Sequence, residues 1–264
     1  MAKYLRGNVA IVAVLIGGIA SAQVVAEGKE EQLKERRPAI EASFTIAGYS
    51  KYVWRGFTFV DEPVIQPCVT VAYKGLAATV FANYTTNAKN NYLTPERAKN
   101  RWTEVDLLLD YTKEVGGVTL GGGYYYYSQP NTGYKKSQEA YVAVTFDKVL
   151  FTPRLAVYTG LDEYEGYYAS LSGKHSISTK LKKAGSVEIS ASLGYGDAGH
   201  NEWMYGVRRT GFADALAIVS LPIEVGNGWT VTPSLSHSEM LDKKLLPSSE
   251  RRKTWVGLAF SFAF

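Results

Sequence analysis

The sequence predicts an all-β fold, a transmembrane antiparallel up-and-down barrel of about twelve strands behind a cleaved signal peptide. Three observations predict it. From Ala42 to Phe264 apolar and polar residues alternate with period two. The connections between the alternating segments are short and long by turns. Aromatic residues collect at two levels on the apolar face.

Composition narrows the choice first. A chain of 264 residues with 46% hydrophobic and 13% aromatic residues has too much apolar surface to stay disordered. A net charge of +4 is small for this length and excludes the strongly basic surface that a nucleic-acid partner selects. The single cysteine, Cys68, forms no intrachain disulfide and rules out a cysteine-based zinc site.

At the N-terminus, Lys3 and Arg6 precede an apolar run from Val9 to Ala20 that ends in Ala20-Ser21-Ala22. This is the pattern of a secretory signal peptide over 1–22, cut before Gln23. The run is too short, and too interrupted by Gly17-Gly18, for the roughly 20 residues of a membrane-crossing helix. Residues 23–40 are dense in charge and stop at Pro38, as a solvated periplasmic segment would.

The barrel is expected over 41–264. In the last segment Thr254, Val256, Leu258, Phe260, Phe262 and Phe264 alternate with Trp255, Gly257, Ala259, Ser261 and Ala263. Val105, Leu107, Leu109 and Tyr111 stand likewise against Glu104, Asp106, Leu108 and Asp110, and Val187 to Tyr195 against Ser186 to Gly194. Strands of this kind put one face in something apolar and wet the other. Twelve are placed near 42–55, 64–74, 76–86, 101–113, 117–128, 136–147, 152–162, 166–178, 185–197, 210–222, 228–239 and 253–263. Most reach ten residues, the length of a tilted strand crossing a bilayer.

Lys74-Gly75, 113–117, 147–150, 179–185 and 223–228 read as short periplasmic turns. The segments 56–62, 86–100, 128–135, 201–210 and 240–252 read as external loops. One aromatic girdle is expected from Phe44, Tyr73, Tyr111, Phe146, Phe151, Trp229 and Phe262, the other from Tyr52, Trp54, Tyr84, Tyr126, Tyr167 and Tyr195. A soluble lipocalin-like barrel also alternates, but its apolar face would point inward and leave both girdles without purpose.

A charge on the lipid face costs about 2 to 4 kcal/mol at mid-bilayer, so charges within strands are expected to face the lumen. By parity Lys51, Arg55, Arg154 and Lys174 share the inner face with Glu104, Asp106, Asp110, Glu139, Glu188 and Asp214. Twelve strands lie between filled eight-strand barrels and wide sixteen-strand porins, so a narrow polar passage is expected. Both signs line it, and no ion selectivity is predicted. Each charge could equally hold the barrel together as an internal ion pair. The loops carry basic residues, Lys89, Arg97, Lys99 and Arg101 in the second and Lys243, Lys244, Arg251, Arg252 and Lys253 in the last, beside acidic Asp162, Glu163 and Glu165 in the fourth. They are read as solvated loop surface able to meet lipopolysaccharide phosphates.

Segment Tyr49-Ser50-Lys51-Tyr52-Val53-Trp54-Arg55-Gly56 resembles the S-x-Y-x-x-R-G opening of the TorF family of outer-membrane porins. Glu104-Val105-Asp106, the run Gly123 to Tyr127 continuing to Pro130, and Glu139-Ala140-Tyr141 are similar to later stretches of the same family. The resemblance spans 42–264 and implies a pore-like protein of the bacterial outer membrane with no catalytic residue. The alternating strand ending in Phe264 is similar to the signal read by the barrel-assembly machinery.

No catalytic, cofactor or metal site is predicted. Gly121-Gly122-Gly123 sits inside a strand, where it makes room for bulky neighbours rather than cradling phosphate. His175, His200 and His237 lack metal spacing. A lipid hydrolase would need a serine beside outward-facing His237, yet Ser236 and Ser238 point to the other face. The function expected is passive diffusion of small hydrophilic solutes across the outer membrane, with lipid, lipopolysaccharide and the assembly machinery as partners. The alternative is a structural or adhesive barrel without transport.

Overall fold

The computed structural model describes residues 40–87, 98–180 and 185–264, together with the backbone of a hairpin, Ile11–Ile16 paired with Ile19–Val24, that forms a sheet of its own. The predicted signal peptide over 1–22 and charged segment over 23–40 otherwise lie outside the described residues, as do Lys89 and Arg97.

The strands are β1 (Glu41–Tyr49), β2 (Tyr52–Trp54), β3 (Phe57–Val60), β4 (Val64–Tyr73), β5 (Leu76–Thr85), β6 (Arg101–Val115), β7 (Val118–Ser128) and β8 (Ser137–Phe146). Then come β9 (Arg154–Gly160), β10 (Tyr167–Ser178), β11 (Ser186–Gly196), helix α1 (Ala198–Tyr205), β12 (Gly211–Ser220), β13 (Ile223–Gly226), β14 (Trp229–Met240) and β15 (Arg252–Ala263). All pairings are antiparallel; the wall strands follow one another in chain order, with β4 beside β1 and β14 beside β12, and β15 returns to β1 through Gly257↔Tyr49 to Ala263↔Ser43. Ala42 and Phe264 exchange two backbone hydrogen bonds of 3.0 Å at that seam. The ring is closed, which removes every free edge.

β12 and β13 are one wall strand interrupted at Pro222. Both pair with β14 in the same register, Ser220↔Ser234 and Ile223↔Val231, and the Leu221 amide donates to the Pro233 carbonyl at 3.1 Å between them. Proline has no amide hydrogen to continue the ladder. Counted this way the barrel has twelve strands, with the hairpin β2–β3 as a separate small sheet.

Three of the short connections are two-residue turns whose central residues both have positive φ: Lys74-Gly75 (50° and 85°), Gly116-Gly117 (64° and 89°) and Asn227-Gly228 (52° and 81°). Such turns match the right-handed twist of the strands they join, and each places glycine where it tolerates that backbone best.

The outer wall is apolar. Leu107, Leu109, Val142, Leu171, Leu235 and Val256 are exposed on it, far more contiguous apolar surface than a water-soluble monomer carries. Tyr73, Tyr111, Phe146, Phe151 and Trp229 ring it at the turn end; Tyr167, Tyr195, Trp102 and Phe212 do so at the loop end. This is an outer-membrane barrel surrounded by lipid. Placing Arg at Leu107, mid-strand on this face, is expected to cost about 2 to 4 kcal/mol. The fraction folding into vesicles, read as the heat-modifiable band on a gel, should fall accordingly.

Two sequence-based expectations are corrected here. The first strand ends at Tyr49, not at residue 55, because the chain bends at Ser50-Lys51 and turns inward. Tyr52 and Trp54 therefore leave the lipid-facing girdle and are 3% and 6% exposed inside the barrel. Lys253, assigned to the last loop, is a wall residue of β15 facing inward and donates to the Gly56 carbonyl.

The triple-glycine segment shows its purpose in β7. A Cβ on Gly123 would lie 2.5 Å from the Tyr141 ring, 2.6 Å from the Leu109 carbonyl and 2.7 Å from an Asp110 oxygen. Gly123 thus leaves room for Tyr141, whose hydroxyl donates to Asp110 at 2.6 Å. Gly123→Val is expected to lower stability by about 1 to 3 kcal/mol through overpacking. Gly121→Ala, with its nearest neighbour at 3.5 Å, should leave the urea midpoint nearly unchanged.

Candidate functional site

The first external loop does not stay outside. Tyr52-Val53-Trp54 and Phe57-Thr58-Phe59-Val60 are too apolar to be left in water, and they pair as β2–β3 across the tight turn Arg55-Gly56. Both turn residues have positive φ, 45° and 72°. A Cβ at Gly56 would lie 2.7 Å from Cβ of Asp214, so the tip is seated directly against the wall. Arg55 at that tip is 5% exposed.

Contacts fix the tip from opposite sides of the bore. Arg55 makes a bidentate ion pair with Glu139 of β8, at 2.7 and 2.8 Å. Lys253 of β15 holds the adjacent Gly56 carbonyl. β8 and β15 are six strands apart in either direction round the ring, so the hairpin tip spans its diameter. The guanidinium also lies 4.4, 5.0 and 4.3 Å from the ring centroids of Trp54, Tyr158 and Tyr168. Each such contact contributes about 0.5 to 2 kcal/mol depending on desolvation. Glu139 is fully buried and satisfied, accepting two further hydrogen bonds from the hydroxyls of Tyr164 (2.5 Å) and Tyr127 (3.0 Å).

A second element packs beside the hairpin tip inside the barrel. Asp197 caps α1 by accepting from the His200 amide at 2.8 Å, and Gly206 ends it in a left-handed conformation. The capped helix buries His200, Asn201 and Met204 against the hairpin. Asn201 is anchored by donating to the carbonyls of Gly196 (3.1 Å) and Arg209 (2.6 Å), which turns its Oδ1 toward His200 Nδ1 at 3.1 Å. Nδ1 is therefore the protonated nitrogen, and Nε2 accepts from Arg55 at 3.1 Å. Trp203 stacks on Tyr164 at 4.4 Å, and the Tyr205 hydroxyl donates to the Arg55 carbonyl at 2.6 Å. Burial, and next the neighbouring Arg55 guanidinium, push the His200 pKa down to about 4, so the imidazole is neutral.

Toward the turn end the interior is different. Asp110, Arg154, Lys174 and Glu188 are partly exposed there, with the Arg154 guanidinium 5.5 Å from the Tyr141 ring centroid. On the β4–β6 wall a buried polar row starts at the loop end, where Gln66 donates to Asn83 (2.9 Å) and Asn83 to Thr103 (2.8 Å), and continues toward the turns with Thr70 bonded to Thr79 (2.8 Å). The structure thus divides the ten residues selected by parity. Arg55, Glu139 and Asp214 meet at the hairpin tip, Asp214 through the Tyr168 hydroxyl at 2.9 Å. Glu104 and Asp106 are buried beside the hairpin, and the other four wall charges lie below it. Lys51 is paired with Asp61 at 2.5 Å on the loop that carries the hairpin, so neither it nor Arg55 is a wall residue. His200, Trp203 and Lys253 belong to the site and were not selected for it from the sequence.

The geometry defines a class: a closed twelve-stranded outer-membrane barrel whose loop-side bore is crossed by its own first loop and a helix. No protein-family model and no curated protein sequence matches the chain. Among solved structures it is similar to the KdgM porin in complex with disordered oligogalacturonate, at 10% identity over 85% of this chain and 99% of that chain, with a TM-score of 0.51. It is also similar to an outer membrane channel from Pseudomonas putida F1 (10% identity, 90% of this chain and 100% of that chain, TM-score 0.45). The NanC porin matches at 10% identity over 86% of this chain and 99% of that chain, with a TM-score of 0.43.

Proposed function

We propose that the chain is a narrow outer-membrane channel for passive diffusion of small hydrophilic solutes, stoppered in the described conformation by the hairpin β2–β3. The observation that carries this is the tip at Arg55, held across the bore by an ion pair and hydrogen bonds. A barrel with no passage to control could fill its lumen with wall side chains; here the filling is a loop tethered to the wall at both ends, which would lift as a unit. Below it, Asp110, Arg154, Lys174 and Glu188 would form a polar vestibule of mixed sign, suited to hydrated solutes rather than to one ion type. The fold shared with the KdgM porin supports a channel, and the motifs Tyr49 to Gly56 and Glu139 to Tyr141 support placing the chain among TorF-like porins. The outer wall would contact lipid and the loops lipopolysaccharide, while the β15 terminus at Phe264 would be read by the assembly machinery.

Planar-bilayer recording on refolded protein tests the proposal. Rare discrete conductance steps are expected from the wild-type barrel. Silence from both the wild type and the Arg55→Ala variant, with folding shown by heat-modifiable migration, would favour a purely structural barrel instead.

A further inference from the structure

The loop-side interior holds more buried acids than buried bases. Among the described residues, Glu104, Asp106, Glu139 and Asp214 are buried carboxylates, whereas Arg55 and Lys253 are the buried cationic side chains. Arg55 is committed to Glu139, and Lys253 lies near Asp214. Neither Glu104 nor Asp106 forms an ion pair among the described residues. Four acids against two bases leave two acids without a basic partner, and both fall on β6.

Two further features point at what compensates them. Neither oxygen of Asp106, a fully buried residue, receives a hydrogen bond of normal geometry, although a buried ionised group without one is strongly disfavoured. Independently, the Tyr52 hydroxyl arrives from the hairpin, 3% exposed, beside the Glu104 carboxylate but with no hydrogen bond of normal geometry. Tyr52 and Glu104 share a cleft of about 10 Å³ with Gln129 and Thr103, room for a single ion or water. At about 3.3 Å per residue, positions 104 and 106 set their Cβ atoms roughly 7 Å apart on one face. A Glu and an Asp can close that span onto one ion held at about 2.4 Å from each oxygen.

We propose that Glu104 and Asp106, with the Tyr52 hydroxyl and the Gln129 side chain, bind one divalent cation of the oxygen-seeking class, calcium rather than a transition metal. The donors are all oxygen or amide, with no imidazole or thiolate, and two carboxylates match a charge of +2. The ion joins the barrel wall to the hairpin, so binding it also fastens the stopper.

Full-length refolded protein, stripped with EDTA and returned to detergent buffer, tests this with terbium as the probe. Aromatic-sensitised terbium emission is expected to saturate near one ion per chain and to be displaced by calcium. Glu104→Gln and Asp106→Asn should each weaken apparent affinity at least tenfold, and Tyr52→Phe severalfold, in barrels that migrate as folded on a heat-modifiability gel. Emission absent from the wild type, or undiminished in both carboxamide variants, would overturn the proposal. The first result would mean that the acid pair is neutralised by protons, the second that terbium sits on outer-loop acids.

Discussion

Arg55→Ala is expected to turn a mostly silent barrel into a conducting one. The substitution removes the bidentate bond to Glu139, the acceptor-filling contact to His200 Nε2 and three aromatic contacts at once. It also leaves a fully buried carboxylate facing a cavity with only two tyrosine hydroxyls for partners. Breaking one side of a buried pair costs about 3 to 5 kcal/mol, because the stranded charge must be rehydrated or neutralised. The barrel wall does not need the hairpin for its hydrogen bonds, since β1 pairs with β4 and β15 along its whole length. The cost therefore falls on the seated hairpin rather than on the fold. A penalty of that size lowers the seated-to-lifted ratio by about two to four powers of ten. Bilayer recordings should show long open dwell times in the variant, and Glu139→Gln should shift gating in the same direction by a smaller amount. Unchanged dwell times with intact barrels would mean that the hairpin is a permanent part of the wall.

The barrel wall is legible in the sequence for a physical reason: lipid on one side and water or polar side chains on the other impose period two on every strand. Leu107 and Asp106 are readable as outside and inside without any knowledge of the rest of the chain. The stopper is not legible in the same way. Parity counted through Ser50-Lys51 carries Tyr52 and Trp54 onto the lipid face, because alternation is blind to a bend that redirects the chain. A local signal did exist at that position. Arg55-Gly56 between Tyr52-Val53-Trp54 and Phe57-Thr58-Phe59-Val60 is a two-residue turn between aromatic runs, the pattern of a hairpin rather than of one long strand. Lys253 was recoverable by extending the inward set Trp255, Gly257 and Ala259 backward by one step. His200 left no such trace. Its partner Arg55 is 145 positions away, and its neutral imidazole is set by tertiary packing alone.

Acid is expected to weaken the stopper through that same histidine. In the folded protein the His200 pKa is down at about 4 because burial disfavours the imidazolium and the Arg55 guanidinium opposes it. Its ordinary value is 6.5. Between these limits the lifted or unfolded loop binds a proton that the seated one does not, so the seated state loses stability as pH falls from about 6.5 to 4 and is fully supported above 6.5. The shift corresponds to about 3 kcal/mol across the window, an upper figure because the loop can relax around the new charge. The hydrogen-bond pattern states the same result locally. Protonation puts an N–H on Nε2, where Arg55 already donates, and two donors then face each other at 3.1 Å. Wild-type open probability should therefore rise as pH is lowered through this range. His200→Gln keeps an acceptor for Arg55 and cannot titrate, so its gating should lose most of this dependence while remaining closed at neutral pH. Asp197 at the helix cap and the buried acids on the wall are the same in both proteins, so the difference between the two pH profiles isolates the imidazole. Superimposable profiles would assign the acid response to those carboxylates and remove His200 from the gate.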